Sequence, residues 1–275
     1  LKGKTGEFSP WFIIHEPHPG MCTLLISYRQ HADYPLLIAA NRDEFLERDT
    51  RALHWWTDNP DILGGRDGAA GGTWFGLHRN GRIATLTNHR SFPLKTDAPS
   101  RGDLVRDFLE GSQSPAEYAE RLSAEGDRYN GFNLLFGRAN DLWYANNRGG
   151  ESGPLPAGIH GLSNAVLNSP WPKVDAGKKT FSTLFAEPAA LRASDVYSQL
   201  GKRDTYPDEQ LPNTGIGLDR ERVLSALFIE TEGYGTRASW FLRVAANGHT
   251  EVMERSYAPA GDARVVLRLP VEHPA

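Results

Sequence analysis

The chain has 275 residues, is 39% hydrophobic and carries a net charge of −4. That length supports one large domain with a sizeable core, and the slightly acidic balance argues against a protein that coats nucleic acid. No apolar run approaches the roughly 18 residues of an integral membrane segment, and the single cysteine excludes an internal disulfide and fits a reducing, cytoplasmic setting.

Residues 1–20 differ in character from the rest of the chain. They begin with Leu1, hold three prolines and three glycines, and show no sustained period. His15 and His18 are too few for a metal site, and no metal or cofactor is required elsewhere. At Met21-Cys22-Thr23-Leu24-Leu25-Ile26 a strand-like run begins abruptly. Three readings of residues 1–21 stand open: an added or start-site extension, a removed pro-segment, or an arm that stays attached. Residues 22–275 read as one domain. Under the first two readings Cys22 becomes the first residue. Its α-amine, with a reference pKa near 8, can then take the proton of the thiol, near 8.5. Nucleophile and base sit on one residue.

Residues 22–28 and 36–40 are predicted to form a hairpin that ends at Asn41-Arg42-Asp43-Glu44. The glycine-rich stretch 64–76 lacks the spacing of a phosphate loop and is expected to form tight turns between strands. Asn80-Gly81 marks a hairpin turn before a strand over 82–86. The middle is helical: Ser100 caps a helix to Leu109, and Ser114-Pro115-Ala116-Glu117 is a capping box opening a helix to about Ser123. A hairpin comes next over 132–136 and 142–145, then a strand over 159–162. Helices are expected over 173–185, 194–200 and 219–227, with a turn-rich loop at 201–218. Asn247-Gly248 joins strands 238–245 and 250–255, and 265–269 is the last strand. Strands in hairpins with helices between blocks of strands imply antiparallel sheets with helices on their outer faces, an α+β architecture.

Cys22, Asp43, Asn88, Asn164 and Arg237 each fall at or just past the end of a predicted strand. Singly, an Asp or Asn there reads as a turn residue, Arg237 as a structural ion pair, and Trp55, Trp56 and Trp74 as core or as a pocket wall. Together they supply a thiol, a base, a carboxylate, oxyanion donors and a guanidinium, the parts needed for acyl transfer from an amide. A dyad of Cys22 with His89 or His160 is the other arrangement open to this thiol. No G-x-S-x-G elbow is present.

The segments Met21-Cys22, Asn41-Arg42-Asp43-Glu44, Gly71-Gly72-Thr73-Trp74, Leu86-Thr87-Asn88-His89-Arg90, Ser100-Arg101-Gly102, Gly131-Phe132-Asn133-Leu134, Gly161-Leu162-Ser163-Asn164-Ala165 with Pro170-Trp171-Pro172-Lys173, and Tyr234-Gly235-Thr236-Arg237 occur in that order. In them the chain resembles the NRDE-motif family, that of transport and Golgi organisation 2, over roughly residues 21–257. That family in turn resembles N-terminal-nucleophile hydrolases of the choloylglycine hydrolase and penicillin V acylase group. The resemblance implies a four-layer αββα sandwich. It implies Cys22 as nucleophile, Asp43 beside its amine, Asn164 and Asn88 as oxyanion donors and Arg237 as the late active-site arginine. Arg42, Trp74 and Asn41 are expected to line the substrate site. The hydrolases carry an arginine three residues before the aspartate; here that position is Ala40, and Arg42 points to the face opposite Asp43. The implied activity is cleavage of a linear amide of a small acylated substrate. The other function the family implies is carriage of haem or a lipid without catalysis.

Overall fold

The computed structural model describes residues 22–270. The 1–21 segment, with His15, His18 and Met21, lies outside the described residues.

Two antiparallel sheets face each other. The first contains β1 (Cys22–Tyr28), β2 (Leu36–Phe45), β10 (Gly158–Leu162), β11 (Tyr234–Val244), β12 (His249–Tyr257) and β13 (Ala260–Arg268), in the spatial order β10-β1-β2-β11-β12-β13. The second runs in chain order through β3 (Thr50–Trp55), β4 (Ile62–Asp67), β5 (Phe75–His78), β6 (Ile83–Asn88), β7 (Phe132–Arg138), β8 (Asp141–Asn146) and β9 (Gly153–Pro154).

The two-residue strand period sorts the apolar side chains. Leu24, Ile26, Ile38 and Trp240 point inward and meet Phe75, Leu77 and Leu135 of the other sheet. Phe75 and Trp240 stack with ring centroids 4.0 Å apart. The alternate residues Leu25, Leu37 and Phe241 point outward, under Phe181 and Phe185 of α3 (Pro172–Leu184) and its turn and Val196 of α4 (Ala193–Leu200). On the far side, Phe136 packs under Phe108 of α1 (Gly102–Glu110) and Tyr118 of α2 (Pro115–Glu125). The result is the expected four-layer αββα sandwich. No helix among the described residues is long and apolar enough to cross a membrane.

Local signals act as expected in several places. Ser114 and Glu117 form both bonds of the capping box of α2. Gly81 and Gly248 take the left-handed backbone, with φ of 94° and 82°, that their hairpin turns require. Two expectations are corrected. The stretch 64–76 is not all turns: Gly64 and Gly65 lie inside β4, because a Cβ on Gly64 would sit 2.6 Å from the Phe75 carbonyl and one on Gly65 would enter the Trp74 ring. The helix expected over 219–227 is the shorter α5 (Leu218–Val223); beyond it the Ser225 hydroxyl donates to the Arg222 carbonyl.

Candidate active site

The site is assembled at the start of β1. Cys22 is 9% exposed. It stands opposite Arg42 in the β1–β2 ladder. Extending the β1–β10 ladder two positions past Leu24↔Leu162 places Asn164 on its other side. The Ser163 hydroxyl ties these elements together, since it lies 3.1 Å from both the Cys22 carbonyl and Asn164 Oδ1. One hydroxyl proton serves one of these acceptors at a time.

The thiol is strongly biased toward its protonated form. Burial pushes it up to about 12, the Asp43 charge adds to this, and Arg42 and the Asp43 main-chain N–H pull it back. Such a thiol is inert at neutral pH unless a base takes its proton.

Asn164 is buried and donates through Nδ2 to the Asn88 carbonyl at 2.8 Å. The Asn164 carbonyl in turn accepts from the Arg90 N–H. The structure therefore brings Asn88, at the end of β6, and Asn164 together across the two sheets. Asn133 and Thr87 close the network behind them: Thr87 Oγ1 donates to the Ser163 carbonyl at 2.6 Å, and Asn133 Nδ2 donates to Thr87 Oγ1 at 3.1 Å.

Arg42 shares the Cys22 face of β2, as does Ala40. It is buried over the Trp74 ring, 3.9 Å from the centroid, with Glu44 at 3.7 Å. Trp74 Nε1 is buried and has no hydrogen-bond partner. Arg101, at the entry to α1, donates to the Gly131 carbonyl that also receives the His89 N–H, which places it at the Asn88 rim.

Asp43 lies on the opposite face of β2, 1% exposed. Its Oδ1 accepts from Thr236 at 2.6 Å, while its buried Oδ2 has no partner. Burial raises its carboxyl above the usual range; Lys173, the Thr236 bond and Arg42 oppose the rise, and Glu44 adds to it.

Asn41 is turned into the helical layer, whereas Arg237 stands across from β2 between the Thr236↔Asp43 and Ala238↔Arg42 pairs. Asn41 Nδ2 donates to the Leu200 and Leu227 carbonyls, and its Oδ1 accepts from Ser239. All its polar atoms anchor the helical layer. Arg237 sits at a bulge in β11 and donates to the carbonyls of Phe45, Arg48 and Ala258. His160 is opposite Ile26, about 13 Å along the strand from Cys22, and bonds the Pro156 carbonyl and Asn168. Of the tryptophans, Trp56 is core beneath α1 and Trp55 lies under Arg79.

Lys173, Ser163 and Thr236 fall within the recognised sequence motifs, but sequence reasoning assigned them no role of their own. For Lys173 a signal existed: a lysine in the first turn of a helix opposes the helix dipole, so its presence needs another cause.

Among the described residues no cluster of three His, Cys, Asp or Glu could hold a metal. Two solved structures superpose weakly. An N-acylethanolamine-hydrolyzing acid amidase ortholog of Caenorhabditis elegans matches with TM-score 0.43 and 12% identity, over 80% of this chain and 92% of that one. A mutant of the conjugated bile acid hydrolase from Clostridium perfringens matches with TM-score 0.42 and 11% identity, over 90% and 92%. The sequence is 38% identical over 240 residues to the Transport and Golgi organization protein 2 homolog of Bos taurus, covering 81% of this chain and 87% of that protein. The Homo sapiens homolog is 37% identical over the same shares, and the Drosophila melanogaster protein 28% over 264 residues, covering 86% and 92%. With residues 21–259 matched as a unit, the chain belongs to the Transport and Golgi organisation 2 family.

Proposed function

We propose that this protein is a cysteine N-terminal-nucleophile hydrolase that cleaves a linear amide of a small acylated substrate. The observation that carries the reading is the setting of Cys22. It has a buried thiol, held protonated, at the start of β1, the strand beside the edge strand β10. Arg42 lies on one side of it and the Asn164–Asn88 pair on the other. Such a thiol needs a base close by, and removal of everything up to Met21 supplies one as the Cys22 α-amine.

In this mechanism the α-amine takes the thiol proton as Sγ attacks the substrate carbonyl carbon. The oxyanion that forms is stabilised by donors at the Asn88–Asn164 rim, an effect typically worth about 10²–10³ in kcat per donor. Collapse breaks the C–N bond, and the leaving amine departs with the proton from the α-ammonium. Water then attacks the thioester, the α-amine again accepts the proton, and the acid and free thiol are released. Asp43 orients the α-ammonium, and Arg42 on Trp74 faces the acyl group. A lone thiol nucleophile fits a cytoplasmic, reducing location.

The test is intact mass and terminal sequencing of protein expressed from the full reading frame and from Met21, combined with a screen of acyl amides. The expected result is a Cys22 terminus and amide hydrolysis that is lost in C22A. A retained Met21 with no turnover overturns the reading and favours carriage of haem or a lipid, which C22A would leave intact.

A further inference from the structure

His160 has no place in the proposed hydrolytic steps, yet it is buried and both of its ring nitrogens are engaged. Nε2 lies 2.8 Å from the Pro156 carbonyl, which can only accept, so Nε2 carries a hydrogen. Nδ1 lies 3.0 Å from Asn168 Nδ2. The Asn168 amide is not free to turn over. Its Oδ1 receives the Gly161 N–H at 3.0 Å, and a main-chain N–H can only donate. The Nδ2 end must therefore face His160 and donate to it, so Nδ1 carries no hydrogen. Donation runs one way, from the Gly161 N–H through Asn168 and His160 to the Pro156 carbonyl. A backbone group fixes each end, and only the neutral imidazole completes the chain.

The same asparagine closes the loop that carries Asn164. The Asn168 N–H donates to the Gly161 carbonyl at 2.8 Å, so Asn168 clasps both main-chain groups of Gly161 and folds residues 162–167 back onto the end of β10. Its φ of 60° is the left-handed backbone that asparagine tolerates. Within this loop Asn164 meets the Asn88 carbonyl and Ser163 reaches the Cys22 carbonyl. We infer that Asn168 and His160 are positioning residues that hold Asn164 in place beside Cys22 only while His160 is neutral, so that the loop carries an acid-sensitive latch. A proton on Nδ1 sets two donors against each other. Turning the amide over would set Nδ2 against the Gly161 N–H instead. Thr87 and Asn133 hold the Ser163 and Ala165 carbonyls without a titrating group, so opening the latch shifts the loop rather than releasing it. Burial lowers His160 below the usual histidine range; the Pro156 bond opposes this, and Lys178 of α3, the charged side chain whose field reaches it, adds to it. Tyr144, whose hydroxyl takes the Leu167 N–H of the same loop, is pushed up to about 12, mainly by burial, and stays neutral. The inference rests on the hydrolase reading only in the role given to Asn164.

The experiment follows the His160 ring nitrogens by NMR across pH in the full chain, with their signals assigned by their loss in H160Q. The Nε2–H tautomer is expected near neutral pH, with a midpoint below the ordinary histidine value of about 6.5. N168D keeps an acceptor for the Gly161 N–H and turns a second oxygen toward Nδ1. The His160 midpoint is expected to rise by more than about one pH unit, over tenfold in proton affinity. N168G keeps the left-handed backbone and removes the amide; it should raise the midpoint by less, and it serves should N168D fail to fold. In the unsubstituted protein the Asn164 side-chain amide signals, assigned by their loss in N164D, are expected to shift at the His160 midpoint and to ignore it in N168G. An Nδ1–H tautomer, or a midpoint that N168D and N168G both leave in place, overturns the latch. Asn164 signals that do not move with His160 overturn its reach to the site. Amide hydrolysis by protein that begins at Cys22 reads the hydrolase mechanism separately. Coupled titration without hydrolysis keeps the latch and ends the hydrolase reading; hydrolysis with uncoupled Asn164 signals does the reverse.

Discussion

Two buried cation–carboxylate pairs lie close together and are built on different plans. Arg90 and Glu221 touch at 2.7 Å, with side chains 2% and 4% exposed. The second oxygen of Glu221 accepts from the N–H and hydroxyl of Thr214, at 2.8 and 2.6 Å, and Arg90 lies over the Trp171 ring. Lys173 and Asp43 are as deeply buried, but Lys173 reaches one carbonyl and Asp43 leaves an oxygen unpartnered. A closed pair fixes the loop before α5 against the end of β6. The second pair is open: Lys173 and Asp43 make no direct ion pair, and the Asp43 charge is felt at the Cys22 thiol. Direct ion pairing, more than burial, separates the two.

Breaking the closed pair should have the largest effect on folding. In R90M the Glu221 carboxylate stays buried without its cation, and a loss of about 3–5 kcal/mol is expected in urea unfolding. A loss under about 1 kcal/mol would mean that Thr214 alone satisfies Glu221 and that the pair is not a lock. The open pair should behave otherwise when both members are removed. K173M alone leaves an unpaired carboxylate and should be clearly destabilised. D43N/K173M removes both charges and is expected to match the parent or exceed it by about 1–4 kcal/mol, as buried ion pairs replaced by neutral groups often do. If the double variant is weaker than K173M, the two side chains are not coupled, and the comparison collapses.

The sequence made the sandwich legible because its signals are local. Hairpin turns at Asn80-Gly81 and Asn247-Gly248, the Ser114 capping box and the alternation at Leu24, Leu25 and Ile26 each act within a few residues. Cys22, Asn88 and Asn164 were legible as strand-end residues, and the ladders carry them to one place. What was hidden depends on packing between distant segments. Gly64 and Gly65 looked like turn residues because glycine in a strand has meaning only against a neighbour, here Phe75 and Trp74. Asn41 looked like a ligand for substrate because the carbonyls that use it belong to Leu200 and Leu227. Lys173 lay within a motif, but the carbonyl that holds it belongs to Leu224, 51 positions later.

The smallest effect expected is also the most selective, and it concerns Thr236. Its hydroxyl donates to Asp43 Oδ1 and accepts from the Ile229 N–H at 2.9 Å. The first bond favours the charged carboxyl; the second is indifferent to charge. The Asp43 carboxyl is raised in the folded protein, mainly by burial. Its contribution to stability is therefore complete below the ordinary aspartate pKa of about 3.9. It is lost as pH rises toward the folded value. Lys173 has the opposite sign at the alkaline end, where its lowered value costs stability below the usual lysine range. T236V removes a donor to the carboxylate, so the decline with pH should become steeper and extend further. At about pH 4, where Asp43 is largely protonated, the variant loses mainly the bond to the orphaned Ile229 N–H. At about pH 7.5 it should lose a further ~1.5–3 kcal/mol at most, the worth of a hydrogen bond to a charged group. The difference between the two pH values cancels the Ile229 contribution and isolates the carboxylate. An equal penalty at both would mean that Asp43 stays neutral throughout, and the pair would then be poised in name only.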